Sequence, residues 1–142
     1  MKIKKITLLN FGSIRTGPEE GYEDSLSPTG YFLETENITF VNKTNILPAE
    51  KGLKFGIEYY VEGNNFNHSK AIVCCKIFHP MMQNPKTNKT FKKIIDYKKV
   101  VLNDTDFDYL FLEYDWEVQK GTYLFQILED GQVLLEKSFE LV

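Results

Sequence analysis

From Tyr123 to Leu141 apolar and polar residues alternate on either side of Asp130-Gly131, and this stretch narrows what the chain can become more than any other. Tyr123, Phe125 and Ile127 fall on one face of an extended strand, with Leu124, Gln126 and Leu128 on the other. The chain then returns through Val133, Leu135, Phe139 and Leu141. A two-residue turn of this kind needs positive φ at both positions, which Asp-Gly supplies, so the segment predicts a hairpin closed at 130–131. An isolated hairpin is marginal in water, so the rest of the chain must supply more sheet to cover it.

The remaining sequence meets that need. Helical periodicity is nearly absent, and short runs rich in Ile, Val, Tyr, Phe and Thr recur between clusters of Gly, Pro, Asn and Asp. Strands are expected at Ile3–Ile14, Tyr31–Lys43, Leu53–Glu62, Lys70–Phe78, Lys93–Leu102 and Phe107–Trp116, ahead of the hairpin. Gly12 suggests a bulge in the first strand, and Pro80 a stop to the fourth. With the hairpin this makes about eight strands, within the seven to nine of an all-β, immunoglobulin-like antiparallel sandwich, in a single domain over 1–142. Two long loops are expected, at 15–30, with two prolines and several acids, and at 79–92.

Charge and length exclude several classes. Seventeen Lys and Arg against twenty Asp and Glu leave a net charge of −3, which argues against a nucleic-acid partner. The longest apolar runs, such as Ala71–Cys75, fall far below the ~20 residues of a membrane-spanning helix. The basic head Met1–Lys5 leads into a run broken by Asn10 with no small-residue cleavage site after it, so it reads as a strand and not as a leader. Cys74 and Cys75 are neighbours and point to opposite faces of a strand, which does not favour a bridge between them. A reduced, cytoplasmic setting is expected.

Chemistry-bearing patterns are few. Asp104, Asp106 and Asp108 open like a calcium loop, but Tyr109 and Asp115 stand where such a loop needs glycine and glutamate. The spacing of Cys75 and His79 allows a thiol–imidazole pair, without the four-ligand set of a zinc site. No catalytic residue, metal or cofactor is therefore expected. The run Lys86, Lys89, Lys92, Lys93, Lys98 and Lys99 reads as a solvated loop and an edge strand kept from pairing by lysine. The candidate binding residues are Met81 and Met82, which exposed would adapt to a partner, and the aromatics Tyr97, Tyr114 and Trp116.

Over residues 52 to 142 the chain resembles a bacterial family of immunoglobulin-like domains known as a domain of unknown function. The resemblance runs through Gly52-Leu53-Lys54-Phe55-Gly56-Ile57-Glu58-Tyr59-Tyr60-Val61-Glu62-Gly63, Phe78-His79-Pro80 and Asn84-Pro85-Lys86-Thr87. It continues through Asp115-Trp116-Glu117 and Gly121-Thr122-Tyr123-Leu124-Phe125 into the closing hairpin. The resemblance implies the sandwich fold and export of some members, but no activity. Tyr123 after Gly121 looks like a tyrosine corner, its hydroxyl bonding back to the chain, with Asp115 accepting backbone N–H groups in the same corner. Function is expected to be non-enzymatic protein binding. The alternatives are a carbohydrate- or small-ligand-binding module built on exposed aromatics and a thiol- or metal-dependent enzyme.

Overall fold

The computed structural model describes residues 1–16, 20–23, 31–34 and 38–142, with 20–23 and 31–34 described by their backbone. The strands are β1 (Ile3–Thr16), β2 (Glu20–Glu23), β3 (Tyr31–Glu34), β4 (Ile38–Asn42), β5 (Ile46–Leu47) and β6 (Lys54–Gly63). There follow β7 (Lys70–Gln83), β8 (Thr90–Val101), β9 (Asp104–Phe111), a 3-10 turn at Asp115–Glu117, β10 (Gly121–Glu129) and β11 (Gln132–Leu141). A four-stranded sheet in the order β4-β1-β6-β9 faces a five-stranded sheet in the order β5-β11-β10-β7-β8, and β2 pairs with β3. All pairings are antiparallel except β5 with β11, where Glu140 lies beside Ile46.

Alternation builds the core between the sheets. Phe55, Ile57, Tyr59 and Val61 of β6 are fully buried, as are Tyr123, Phe125 and Ile127 of β10 and Phe139 of β11. The Phe55 ring meets Tyr123, Phe125 and Phe139 edge-on at centroid distances of 5.4, 5.8 and 5.2 Å, locking one sheet to the other. Asp130 and Gly131 both have positive φ, 49° and 79°, as the predicted hairpin requires.

Several boundaries differ from the sequence expectation. β7 continues through Pro80 to Gln83, because the register shift between Phe78 and Met82 accommodates the proline in an irregular stretch of the β7–β8 pairing. The 79–92 loop therefore shrinks to 84–89, where Asn88 takes positive φ. The strand expected at Phe107–Trp116 ends at Phe111, and the Leu112 amide still bonds the Leu53 carbonyl at 2.9 Å before the chain turns. Residues 20–23 of the expected 15–30 loop form β2, whereas 17–19 and 24–30 lie outside the described residues. The expected Tyr31–Lys43 strand divides into β3 and β4, with 35–37 also outside them. Gly12 is not itself the bulge. Register shifts flank it at Leu8–Asn10 and Ser13–Ile14.

Candidate binding face

Because Ala71, Val73, Cys75 and Ile77 of β7 turn into the core, Ile72, Cys74, Lys76 and Phe78 must face outward. The pairing register carries this outer face across the five-stranded sheet. Tyr97 of β8 lies beside Cys74, Cys74 beside Leu128, and Leu128 beside Val133. The result is one apolar row over four strands, with Ile72 next to it on β7. Tyr97 and Ile72 are 68% and 61% exposed, whereas Cys74 and Leu128 are buried beneath their neighbours. Lys93 and Lys99 stand at the β8 edge of this face, opposite Phe78 and Ile72. Glu136 and Glu140 stand on β11.

The five candidate residues do not form one site. Tyr97 belongs to this face. Met81 is 54% exposed near the end of β7, but Met82 is only 1% exposed and is not a surface residue, because the register shift turns it into the core. Tyr114 and Trp116 stack at 6.1 Å with nearly parallel rings at the 3-10 turn, and Trp116 also packs against the core. The sequence signal for the outer face was in β7, where all of 71–75 is apolar although only alternate residues can be core.

The corner beside Trp116 has a tyrosine corner's geometry. The Tyr123 hydroxyl donates to the Gln119 carbonyl at 2.7 Å. Burial pushes its pKa up to about 12. Tyr123→Phe leaves that carbonyl unpaired and is expected to cost about 1–2 kcal/mol in urea unfolding. The carboxylate in the corner is Glu117, not Asp115. The buried Glu117 Oε1 accepts the Glu113 and Tyr114 amides at 3.1 and 2.9 Å, whereas Asp115 is exposed and lies 3.8 Å from Lys51. Turning back to reach two amides, Glu117 ends the extended run that the aromatic pattern alone would continue.

Burial pushes the Glu117 carboxyl up to about 7. The folded state then holds a proton that the unfolded chain releases near 4.5, so this contribution is fully present below 4.5 and lost as pH rises through about 7. His79 acts in the opposite sense. Its Nδ1 donates to the Pro80 carbonyl at 2.7 Å, its Nε2 is buried without a hydrogen-bond partner among the described residues, and burial lowers its pKa below 6.5. Its contribution is lost as pH falls below 6.5. Glu117→Gln keeps an acceptor for both amides and removes the titration. It is expected to match the native protein near pH 5 and exceed its stability near pH 8 by at most roughly 3 kcal/mol, read from unfolding curves at both values.

The aspartates of the calcium-like run serve another purpose. Alternation along β9 puts Asp106 and Asp108 on the same side as the buried Leu110. There Lys98 Nζ reaches Asp108 at 2.9 Å, Asp106 at 3.3 Å and the Phe107 carbonyl at 3.0 Å, and the Tyr59 hydroxyl donates to Asp108 at 2.7 Å. Burial alone would lower the Lys98 pKa, but the carboxylates of Asp108 and Asp106 reverse this and hold it above the usual lysine value. Cys75 and His79 do not converge, since four residues of extended strand separate them by about 13 Å. Burial raises the pKa of both thiols. No helix among the described residues is long and apolar enough to cross a membrane.

Comparisons with known proteins agree with this architecture. An immunoglobulin-like protein from Pseudomonas aeruginosa superposes with a TM-score of 0.64 at 22% identity, covering 97% of each chain. An alkylpurine DNA glycosylase from Pseudomonas fluorescens, bound to DNA containing an abasic-site analogue, aligns at a TM-score of 0.42 and 14% identity over 68% of this chain and 27% of its own. A β-D-glucoside glucohydrolase from Trichoderma reesei aligns at 0.40 and 9% identity, over 97% of this chain and 19% of its own. Neither of these two alignments is close enough to bear on function. No curated protein matches the sequence. The fold is therefore an immunoglobulin-like sandwich. A family model described as a domain of unknown function, DUF3859, matches residues 21–141, reaching further towards the N-terminus than the motifs from Gly52 onward, and the protein belongs to that family.

Proposed function

We propose that this protein is a non-enzymatic binding domain that docks another protein on the outer face of its five-stranded sheet. The observation that carries this reading is the row Tyr97, Cys74, Leu128 and Val133 with Ile72 beside it, where exposed large apolar side chains adjoin buried ones in a continuous strip. Such strips lose unfavourable water contact when a partner covers them. Thiols held protonated by burial are poor nucleophiles, which supports a role without catalysis. They also suit a reducing compartment, and a cytoplasmic location is part of the same proposal. A sugar platform on Tyr114 and Trp116 has less support, because the indole is stacked by Tyr114 and packed on the core.

The test is a photo-crosslinking amino acid placed at Tyr97 in the full chain, compared with the same group at Tyr60. Tyr60 follows the inward-facing Tyr59 and so lies on the outer face of the opposite sheet. Irradiation in cells is expected to give discrete protein adducts from position 97 and few from position 60. Equal or absent crosslinking at 97 would overturn the choice of face.

A further inference from the structure

We infer that the protein docked on this face is a second copy of the same chain, in a two-fold dimer. The inference rests on the proposed docking role of the face and is carried by its charge pattern. Lys93 and Lys99 lie at the β8 edge, Glu136 and Glu140 lie on β11, and Asp130 sits in the turn that joins β10 to β11. Among the described residues none of these five charges forms an ion pair within its own chain. Among those residues, Glu136 and Glu140 accept side-chain hydrogen bonds from the neutral Gln126 and Thr122 alone. One edge of the face is thus basic and the other acidic, with the apolar row between them and one further lysine, Lys76 of β7, inside the face beside Gln126.

A two-fold axis lying between two such faces and parallel to β7 and β10 inverts the strand order without shifting position along the strands. It sets β8 against the partner copy's β11, and β7 against its β10. The apolar row then covers itself in reverse: Tyr97 meets the copy's Val133, and Cys74 meets its Leu128. Lys93 pairs with Phe78, and Phe78 with Leu124 and so with Ser138, which places Lys93 between the copy's Glu136 and Glu140. Lys99, one step beyond Tyr97, falls at the copy's Asp130 turn. An axis across the strands would instead set β8 lysines against β8 lysines, so the charges select the first arrangement. Four strands about 4.8 Å apart, each with about eight residues at ~3.3 Å, give a face of roughly 500 Å² in projection. Both copies together then approach the ~1,000 Å² of a specific interface, which predicts a dimer that dissociates on dilution.

Sedimentation equilibrium over a dilution series tests this. The native chain is expected to approach twice its 16.6 kDa at high concentration. Tyr97→Lys is expected to weaken association at least tenfold. Lys93→Glu and Glu136→Lys should each weaken it severalfold, and the double charge swap should recover most of the loss. All these positions are exposed, and a thermal midpoint unchanged in dilute solution, where every chain is monomeric, checks that each variant folds. A native chain that stays monomeric up to about 1 mM (a Kd at which binding is worth only ~4 kcal/mol) overturns the dimer, as does a charge swap that does not rescue. The mass of the adduct from position 97 separates the two proposals. An adduct of twice the chain mass supports the dimer, an adduct with a different protein overturns the dimer while leaving the docking face standing, and no adduct overturns both.

Discussion

Replacing Lys98 with methionine is expected to destabilise the protein by about 3–5 kcal/mol at neutral pH, the scale for stranding one half of a buried ion pair. The ammonium bridges Asp108 and Asp106 between the edge strands β8 and β9, and no neutral side chain can fill that role. Without it, Asp108 keeps the Tyr59 hydroxyl as its one hydrogen-bond donor among the described residues and shares its surroundings with Asp106. Its folded-state pKa then rises further, so the variant loses stability as pH rises through that value and regains part of it in acid. Urea unfolding at about pH 7 and about pH 4 should show the loss shrinking at the lower value, and adding Asp108→Asn should recover much of the loss at pH 7. A variant within about 1 kcal/mol of the native protein at neutral pH would mean that the network contributes little.

Gly12→Ala is the second large effect. Gly12 has φ +130°, and a Cβ there would lie 1.8 Å from the Asn42 carbonyl oxygen. The backbone strain and the overlap act together, because relieving the overlap requires the end of β4 at Asn42 to move off β1. The expected cost is about 3 kcal/mol or more, the range of strained backbone plus displaced structure. Hydrogen exchange should find the loss of protection concentrated at the β1–β4 pairing, with the β10–β11 hairpin still protected. Full protection at Phe40 in the variant would contradict this account.

The two predictions mark where the sequence could and could not be read. Alternation around Asp130-Gly131 specified the β10–β11 hairpin and its buried face, because period and turn chemistry are both local. The Tyr123 corner was legible for the same reason, since its acceptor lies four residues away. That Glu117 and not Asp115 is the corner's acceptor is not legible in the sequence, because which carboxylate turns inward depends on the 3-10 turn. The burial of Met82 and the shortness of the 79–92 loop are not legible locally, because a proline in sequence marks a strand end and only the register shift in the β7–β8 pairing accommodates it. Lys98 looked like one lysine among six. Its burial follows from the parity of β8 and from β9 lying across the sandwich, and composition reveals neither. The outer apolar face also needs the strand order, since Tyr97, Cys74, Leu128 and Val133 meet only when β8, β7, β10 and β11 are laid side by side.

Hydroxyl-radical footprinting of Tyr97 and Ile72, in cells and in dilute purified protein, tests the docking face most directly. Both side chains are more than half exposed in the isolated chain, so both should oxidise readily when it is dilute. The account predicts strong protection of both in cells, with Phe66 equally reactive in the two settings as a fully exposed reference. Equal oxidation of Tyr97 and Ile72 in cells and in dilute solution would show that nothing covers the face and would contradict the proposed function.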